Sequence, residues 1–453
     1  MQKRNVTIGL ALVGIITIVA CAAETLDGMA SAQSGSVPLF EVDPFWPKPL
    51  PNHWLIGPTI GVTVDPDDGI WIVQRNTPDQ FAARTEIGQA QDPPLSECCQ
   101  PGPPIMHFDQ DGNLLHAWGG PGTETGNYTW PGSNHGITVD NMGNVWVGGN
   151  GGDDRHILKF TSDGRFLAQY GEPGVPLNSN SQTTFGMVAK VSFDETGNEI
   201  FVADGYGNRR VAVLDASTGA MKRFWGAYGN VPSDDRTPAY TPGETPPQQF
   251  RTPVHCADRA NDGMVYVCDR PSNRVSVFTT AGEFVKETIV APATLSQGST
   301  WDVAFSPDPE QRFMYLADGQ NMKVYVMERE SLDILYSFGD GGRQPGLFFA
   351  VHSIATDTQG NIYTTETYEG SRLQKFRYMG MGANPAPADL TELETEDKPA
   401  AGELLAPDDD EPSKLLDITQ LGDWNLEGQL YIEMDEPLPL IITGLTLETA
   451  LGG

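Results

Sequence analysis

Residues His135–Gly149 read HGITVDNMGNVWVGG, and the fold follows from that line. Apolar side chains alternate up to Val139, a turn built on Asp140, Asn141, Gly143 and Asn144 follows, and a second apolar run leads away. Gly and Asn tolerate the positive φ of tight hairpin turns, so two antiparallel strands are expected here. The pattern recurs at Ile60–Arg75 (IGVTVDPDDGIWIVQR), Val191–Tyr206 (VSFDETGNEIFVADGY), His255–Arg270 (HCADRANDGMVYVCDR), Trp301–Gly319 (WDVAFSPDPEQRFMYLADG) and His352–Thr365 (HSIATDTQGNIYTT). Most copies continue into a third strand, such as Arg210–Leu214, Arg274–Phe278 or Lys323–Met327, and several into a fourth. Six units of four short strands are the signature of a β-propeller. The expected architecture is an all-β, six-bladed propeller over residues 37–380, of NHL type from the steps Gly207–Val211 and Ser272–Val275. The sixth unit runs out of strands near Met379, and the alternating stretch Val37–Phe45 is expected to supply the missing one and close the ring.

The flanks differ in composition. The net charge of −32 argues against a nucleic-acid partner. Residues 381–453 hold 17 acidic and 2 basic residues, so this tail is expected to be an acidic, Pro-rich, largely disordered region with one short β element near its end. At the other end, Lys3 and Arg4 precede the apolar run Val6–Ala20, the pattern of an export signal within residues 1–32. Two processing points are open: Cys21 after Ile18-Val19-Ala20, as in a lipoprotein with a membrane-anchored cysteine, or cleavage after Ala30-Ser31-Ala32. Both imply an exported protein that is periplasmic, an outer-membrane lipoprotein or secreted. Cys256 and Cys268 flank a hairpin turn and are expected to pair, while the state of adjacent Cys98 and Cys99 is left open.

Three of the seven histidines share one register. His135, His255 and His352 each stand eight residues before a turn glycine, at Gly143, Gly263 and Gly360. First strands of a propeller line the channel, so these imidazoles from alternate blades converge at one level. Three histidines with an open fourth position form the ligand set of catalytic zinc. His53, His107, His116 and His156 lack the register and are read as surface or packing residues. The second strands end in Arg75, Tyr206 and Arg270, which are expected to ring the same mouth. Two guanidiniums there suit a carboxylate, and a tyrosine beside a cation suits a base, its phenolate being favoured.

These residues resemble the peptidyl-α-hydroxyglycine α-amidating lyase family, over roughly residues 55–378. HGITVD, VHCAD and VHSIATD are similar to its zinc-ligand segments, and Asp204–Arg210 to its Asp-Gly-Tyr-x-Asn-x-Arg step. The resemblance implies zinc on His135, His255 and His352, Tyr206 as catalytic base, and Arg75 and Arg270 as active-site arginines. It implies a small anionic substrate, an N-acyl or peptidyl α-hydroxyglycine, cleaved to an amide and glyoxylate. It also implies a calcium on the carbonyls of Val62 and Ile137 and an Asp after the third histidine, but that position is Ser353, a poorer ligand than a carboxylate. The family's cysteine after the tyrosine is Gly207 here, and the hydroxylated substrate is expected to come from another protein. A non-catalytic NHL-type propeller binding protein or glycan at the cell envelope is the alternative.

Overall fold

The computed structural model describes residues 35–77, 84–123, 127–194 and 198–385; the segment expected to be an export signal, with Cys21, and the tail beyond 385 lie outside them. Six antiparallel four-stranded sheets are present, and among the described residues helical structure is limited to short 3-10 turns. Blade 1 comprises Thr59–Val64, Ile70–Gln74, Ile105–Phe108 and Leu114–Trp118. Blade 2 runs from Asn134–Val139 through Val145–Gly149 and His156–Phe160 to Phe166–Gly171. Blades 3, 4 and 5 begin with Lys190–Phe193, Val254–Arg259 and Asp302–Phe305 and step outward in the same way. Blade 6 has three strands from the C-terminal side, Val351–Thr356, Ile362–Glu366 and Arg372–Ala383. Its fourth is Ser36–Asp43, so the N-terminal segment closes the ring as its alternation implies. Phe40 anchors this seam, packing edge-on against Tyr315 of blade 5 at 5.4 Å.

The turn acids explain why the hairpins repeat. Asp140 Oδ1 accepts the backbone N–H of Met142 and Asn144, and its Oδ2 accepts the indole N–H of Trp146 at 2.9 Å. Asp65 makes the same set with Asp67, Gly69 and Trp71, and Asp357 with Gln359, Asn361 and the Tyr363 hydroxyl. One carboxylate thus shapes the turn and pins the large aromatic of the next strand. At the other end of blades 3 and 4, fully buried pairs Asp204–Arg210 and Asp269–Arg274 account for the Asn-Arg steps. Arg210 also donates to the carbonyls of Ser179, Ser181 and Thr184, so no charge is left bare and the preceding loop is tied down.

The core is a ring of six apolar layers, one between each pair of neighbouring blades. Strand periodicity builds it. In blade 4, Val265 and Val267 face blade 3, whereas Tyr266 and Cys268 face blade 5. Each such side chain, fully buried, contributes roughly 1.5–3 kcal/mol. Cys256 and Cys268 are bonded across the first two strands of blade 4, as expected; Cys98 and Cys99 are joined to each other.

Candidate metal and active site

The three registered histidines meet. Ring centroids of His135, His255 and His352 lie 4.8–5.1 Å apart, and their ligand nitrogens fall within 4.8 Å of one another. Each is buried, at 2–4% exposure. Strand pairing is irregular at each of these histidines, which fall between the matched residues Asn134 and Ile137, Val254 and Cys256, and Val351 and Ser353. Such bulges re-aim a side chain, here into the channel.

The neighbouring blades set the tautomers. His135 Nδ1 faces the carbonyl of Ala189 at 2.7 Å, His255 Nδ1 that of Trp301 at 2.5 Å, and His352 Nδ1 that of Ile60 at 2.6 Å. A carbonyl only accepts, so Nδ1 carries the proton and Nε2 keeps its lone pair. Burial holds all three rings neutral: His135 titrates near 3, with Arg75 and Arg270 adding to the effect, and His255 and His352 lie well below the usual histidine range. Three neutral Nε2 acceptors around one point fit a borderline-soft divalent metal such as zinc. Gly136 permits the arrangement, because a Cβ there would stand 2.3 Å from the Ala189 oxygen that His135 uses.

Tyr206, Arg75 and Arg270 gather on the same side. The Tyr206 hydroxyl lies 2.9 Å from His135 Nε2 and 3.0 Å from His255 Nε2, and accepts from Arg270 at 3.2 Å. Gly205 makes this approach feasible, since a Cβ would fall 1.9 Å from the Val254 carbonyl. Burial raises the phenol above its ordinary value, with Arg270 and Arg75 pulling the other way. In the protein alone, then, the phenolate expected from sequence is not favoured; that expectation rests on a cation at the histidines. Arg75 donates to Asn150 and Arg270 to Gln297, and neither guanidinium has a carboxylate partner among the described residues. Both Nε groups are buried without an acceptor among the described residues, which suits an arriving anion.

Behind the histidines lies a layer that sequence reasoning missed. Lys190 Nζ sits 2.7 Å from Asp302 and 2.9 Å from Asp258. Burial opposes the lysine's charge, and the combined fields of the two aspartates outweigh it, holding the ammonium above the ordinary lysine range. Asp302 Oδ2 accepts the Ser353 hydroxyl at 2.6 Å, and Ser353 Oγ accepts the N–H of Val62 at 3.3 Å. The residues do not fit calcium: the serine hydroxyl is committed, and the adjoining carboxylates already face a fixed cation. Asn150, Gln297, Trp301 and Tyr368 were also missed. Asn150, Gln297 and Tyr368 stand on connecting segments outside the repeat, whereas Trp301 opens the fifth copy without a ligand type to mark it; Trp301 stacks under Arg270 at 4.5 Å, and Tyr368 accepts from Gln297 at 2.8 Å. The other histidines stay apart. His107 stacks on Trp71 at 4.0 Å and faces His116, and His156 bonds the carbonyl of Thr129.

No family model matches the chain. It is 29% identical over 249 residues to the Caenorhabditis elegans protein named "Probable peptidyl-alpha-hydroxyglycine alpha-amidating lyase pgal-1", covering 54% of this chain and 64% of that one. It is 24% identical over 252 residues to peptidyl-glycine alpha-amidating monooxygenase B of Xenopus laevis, covering 52% of this chain and 25% of that one. NHL repeat-containing protein 3 of Mus musculus is 25% identical over 309 residues, with 66% and 70% covered. The match thus spans under two thirds of the worm protein and a quarter of the frog protein. The resemblance read from the motifs is therefore found in the relatives as well, to amidating lyases and to an NHL-repeat protein. Among solved structures, virginiamycin B lyase from Staphylococcus aureus gives a TM-score of 0.43 at 13% identity, covering 75% of this chain and 99% of that one.

Proposed function

We propose that this propeller is a zinc-dependent carbon–nitrogen lyase that cleaves an N-acyl or peptidyl α-hydroxyglycine into an amide and glyoxylate. One observation carries the reading: three buried, neutral Nε2 acceptors converge beside a tyrosine hydroxyl and two guanidiniums that lack carboxylate partners among the described residues. Zinc held by His135, His255 and His352 supplies Lewis acidity that makes a nearby hydroxyl easier to deprotonate. Arg75 and Arg270 bind the substrate carboxylate and orient the carbinol carbon. Tyr206 Oη, as the phenolate that a cation at the histidines would favour, receives the hydroxyl proton as the oxygen's electron pair forms the C=O bond. The C–N bond breaks, its electrons stay on nitrogen, and the same proton is delivered there. Amide and glyoxylate result with no co-reactant. The lysine- and arginine-led apolar segment before residue 33 supports an exported setting for this reaction.

The test is glyoxylate release from an N-acyl-α-hydroxyglycine by purified protein whose metal content is measured. Zinc bound at one site with glyoxylate formed is the expected result. Zinc-loaded protein that leaves the substrate intact overturns the lyase reading. It would favour the second reading, a non-catalytic NHL-type propeller at the cell envelope, of which the similarity to NHL repeat-containing protein 3 supports the NHL-type repeat.

A further inference from the structure

Lys190 and Asp302 occupy a telling place in the chain. Lys190 directly follows Ala189, whose carbonyl orients His135, and Asp302 directly follows Trp301, whose carbonyl orients His255. Their ion pair at 2.7 Å joins blades 3 and 5 across the channel. From Asp302 the network continues into blade 6 through the Ser353 hydroxyl and the N–H of Ile354, and on to the Val62 N–H of blade 1. Asp258 of blade 4 completes the surroundings of the ammonium at 2.9 Å, so one polar knot ties five blades together just beneath the histidines. Exposure is low throughout, 14% for the Lys190 side chain, 15% for Asp258 and 3% for Asp302. A charge pair in such surroundings is stiff, because breaking it leaves a buried ion uncompensated.

We propose that Lys190 is a built-in structural cation of the channel: its pair with Asp302 fixes the carbonyls of Ala189 and Trp301, positions His135 and His255 for metal binding, and makes calcium unnecessary there. The positioning half rests on the metal reading of the histidine trio; the calcium half does not.

Two measurements test it. Melting of metal-free wild-type protein with and without millimolar calcium chloride should give the same temperature, since nothing that binds the folded state is added. A calcium-dependent rise overturns the built-in cation. Titration of metal-free protein with zinc, or with cobalt(II) followed by its visible absorption, reads the positioning role. Lys190→Met should weaken binding about 10–100-fold, as loss of outer-sphere support does, and should acquire a calcium-dependent rise in melting temperature from its freed carboxylates. Should Lys190→Met not fold, Asp302→Asn and Asp258→Asn replace it: the first should weaken metal binding about tenfold, and the second, next to no orienting carbonyl, should leave it near wild type. Equal effects of the two, or an unchanged affinity in folded Lys190→Met, overturn the positioning role. If wild-type protein binds neither zinc nor cobalt, the metal reading fails, and with it the positioning half. The calcium melt still decides the cation.

Discussion

Blades 2, 4 and 6 and blades 1, 3 and 5 share one strand plan, yet they divide the channel between them. The even blades each send in a histidine from an irregularly paired first strand, at His135, His255 and His352. The odd blades answer with backbone carbonyls, from Ile60, Ala189 and Trp301, that take the Nδ1 protons. Ligands and their supports therefore come from different blades, and no blade holds half of the site alone. The site then depends on how the six blades register against one another, which the seam at Ser36–Asp43 and the polar knot around Lys190 both control.

The harshest way to break this division is to remove a ligand. His255→Ala should abolish tight zinc binding, because two histidines and solvent make a far weaker site. Full zinc occupancy in that variant, read by metal analysis, would move the site elsewhere. The next largest effect is expected from Tyr206→Phe, which keeps the ring but removes the hydroxyl between His135 and His255. Turnover should fall about 10²–10⁴-fold with zinc content unchanged. An unchanged rate where chemistry is limiting makes Tyr206 a packing aromatic.

The arginines sharpen the contrast between metal site and substrate site. Arg75→Ala or Arg270→Ala should each cost about 1.5–3 kcal/mol in kcat/KM towards a free α-hydroxy acid substrate. An amide-capped analogue should react poorly with wild type and be nearly indifferent to either change. Equal cleavage of capped and free acids would leave the metal reading standing and remove the carboxylate clamp. A subtler break is Gly136→Ala, whose Cβ would press on the Ala189 oxygen from 2.3 Å. Zinc affinity should drop about tenfold without loss of a ligand, and an unchanged affinity would show that the His135–Ala189 bond does not position the ring.

Much of this was legible in the sequence, for physical reasons. The Asp-x-x-Gly turns recur because one carboxylate must satisfy two backbone donors and an aromatic N–H or O–H, as Asp140 does, so the repeat is written in chemistry that varies little. The histidine register followed, since a fixed distance to the turn fixes height in the channel. Lys190 and Asp302 were not legible. Each lies at the start of a first strand, in a position where the other blades carry Gly61, Gly136, Cys256 and Ser353, so no repeated letter marks the layer. Asn150, Gln297 and Tyr368 stand on loops whose lengths differ from blade to blade, and only the folded chain brings them to Arg75 and Arg270.

A last contrast lies in the acid stability of the metal-free protein, where the two layers of the channel pull in opposite directions. His135 is held near pH 3 in the fold by burial, aided by Arg75 and Arg270, whereas an unfolded histidine titrates near about 6.5. Between these values the unfolded chain binds more protons, so stability rises with pH there and is lost as pH falls from about 6.5 towards 3. Asp258 behaves in the reverse sense. Burial raises its carboxyl to about 6, with Lys190 opposing, so between about 3.9, the unfolded value, and 6 the folded chain binds more protons and stability falls as pH rises. The net slope of the wild type is therefore a difference, and variants separate its parts. His135→Gln should reduce the acid-side loss by up to about 1.4 kcal/mol per pH unit, and Asp258→Asn should steepen it. Urea unfolding of metal-free protein between pH 4.5 and 6.5 reads both. Parallel curves for wild type and His135→Gln would mean that the ring is charged in the fold, and the neutral Nε2 acceptor on which the metal reading depends would be lost.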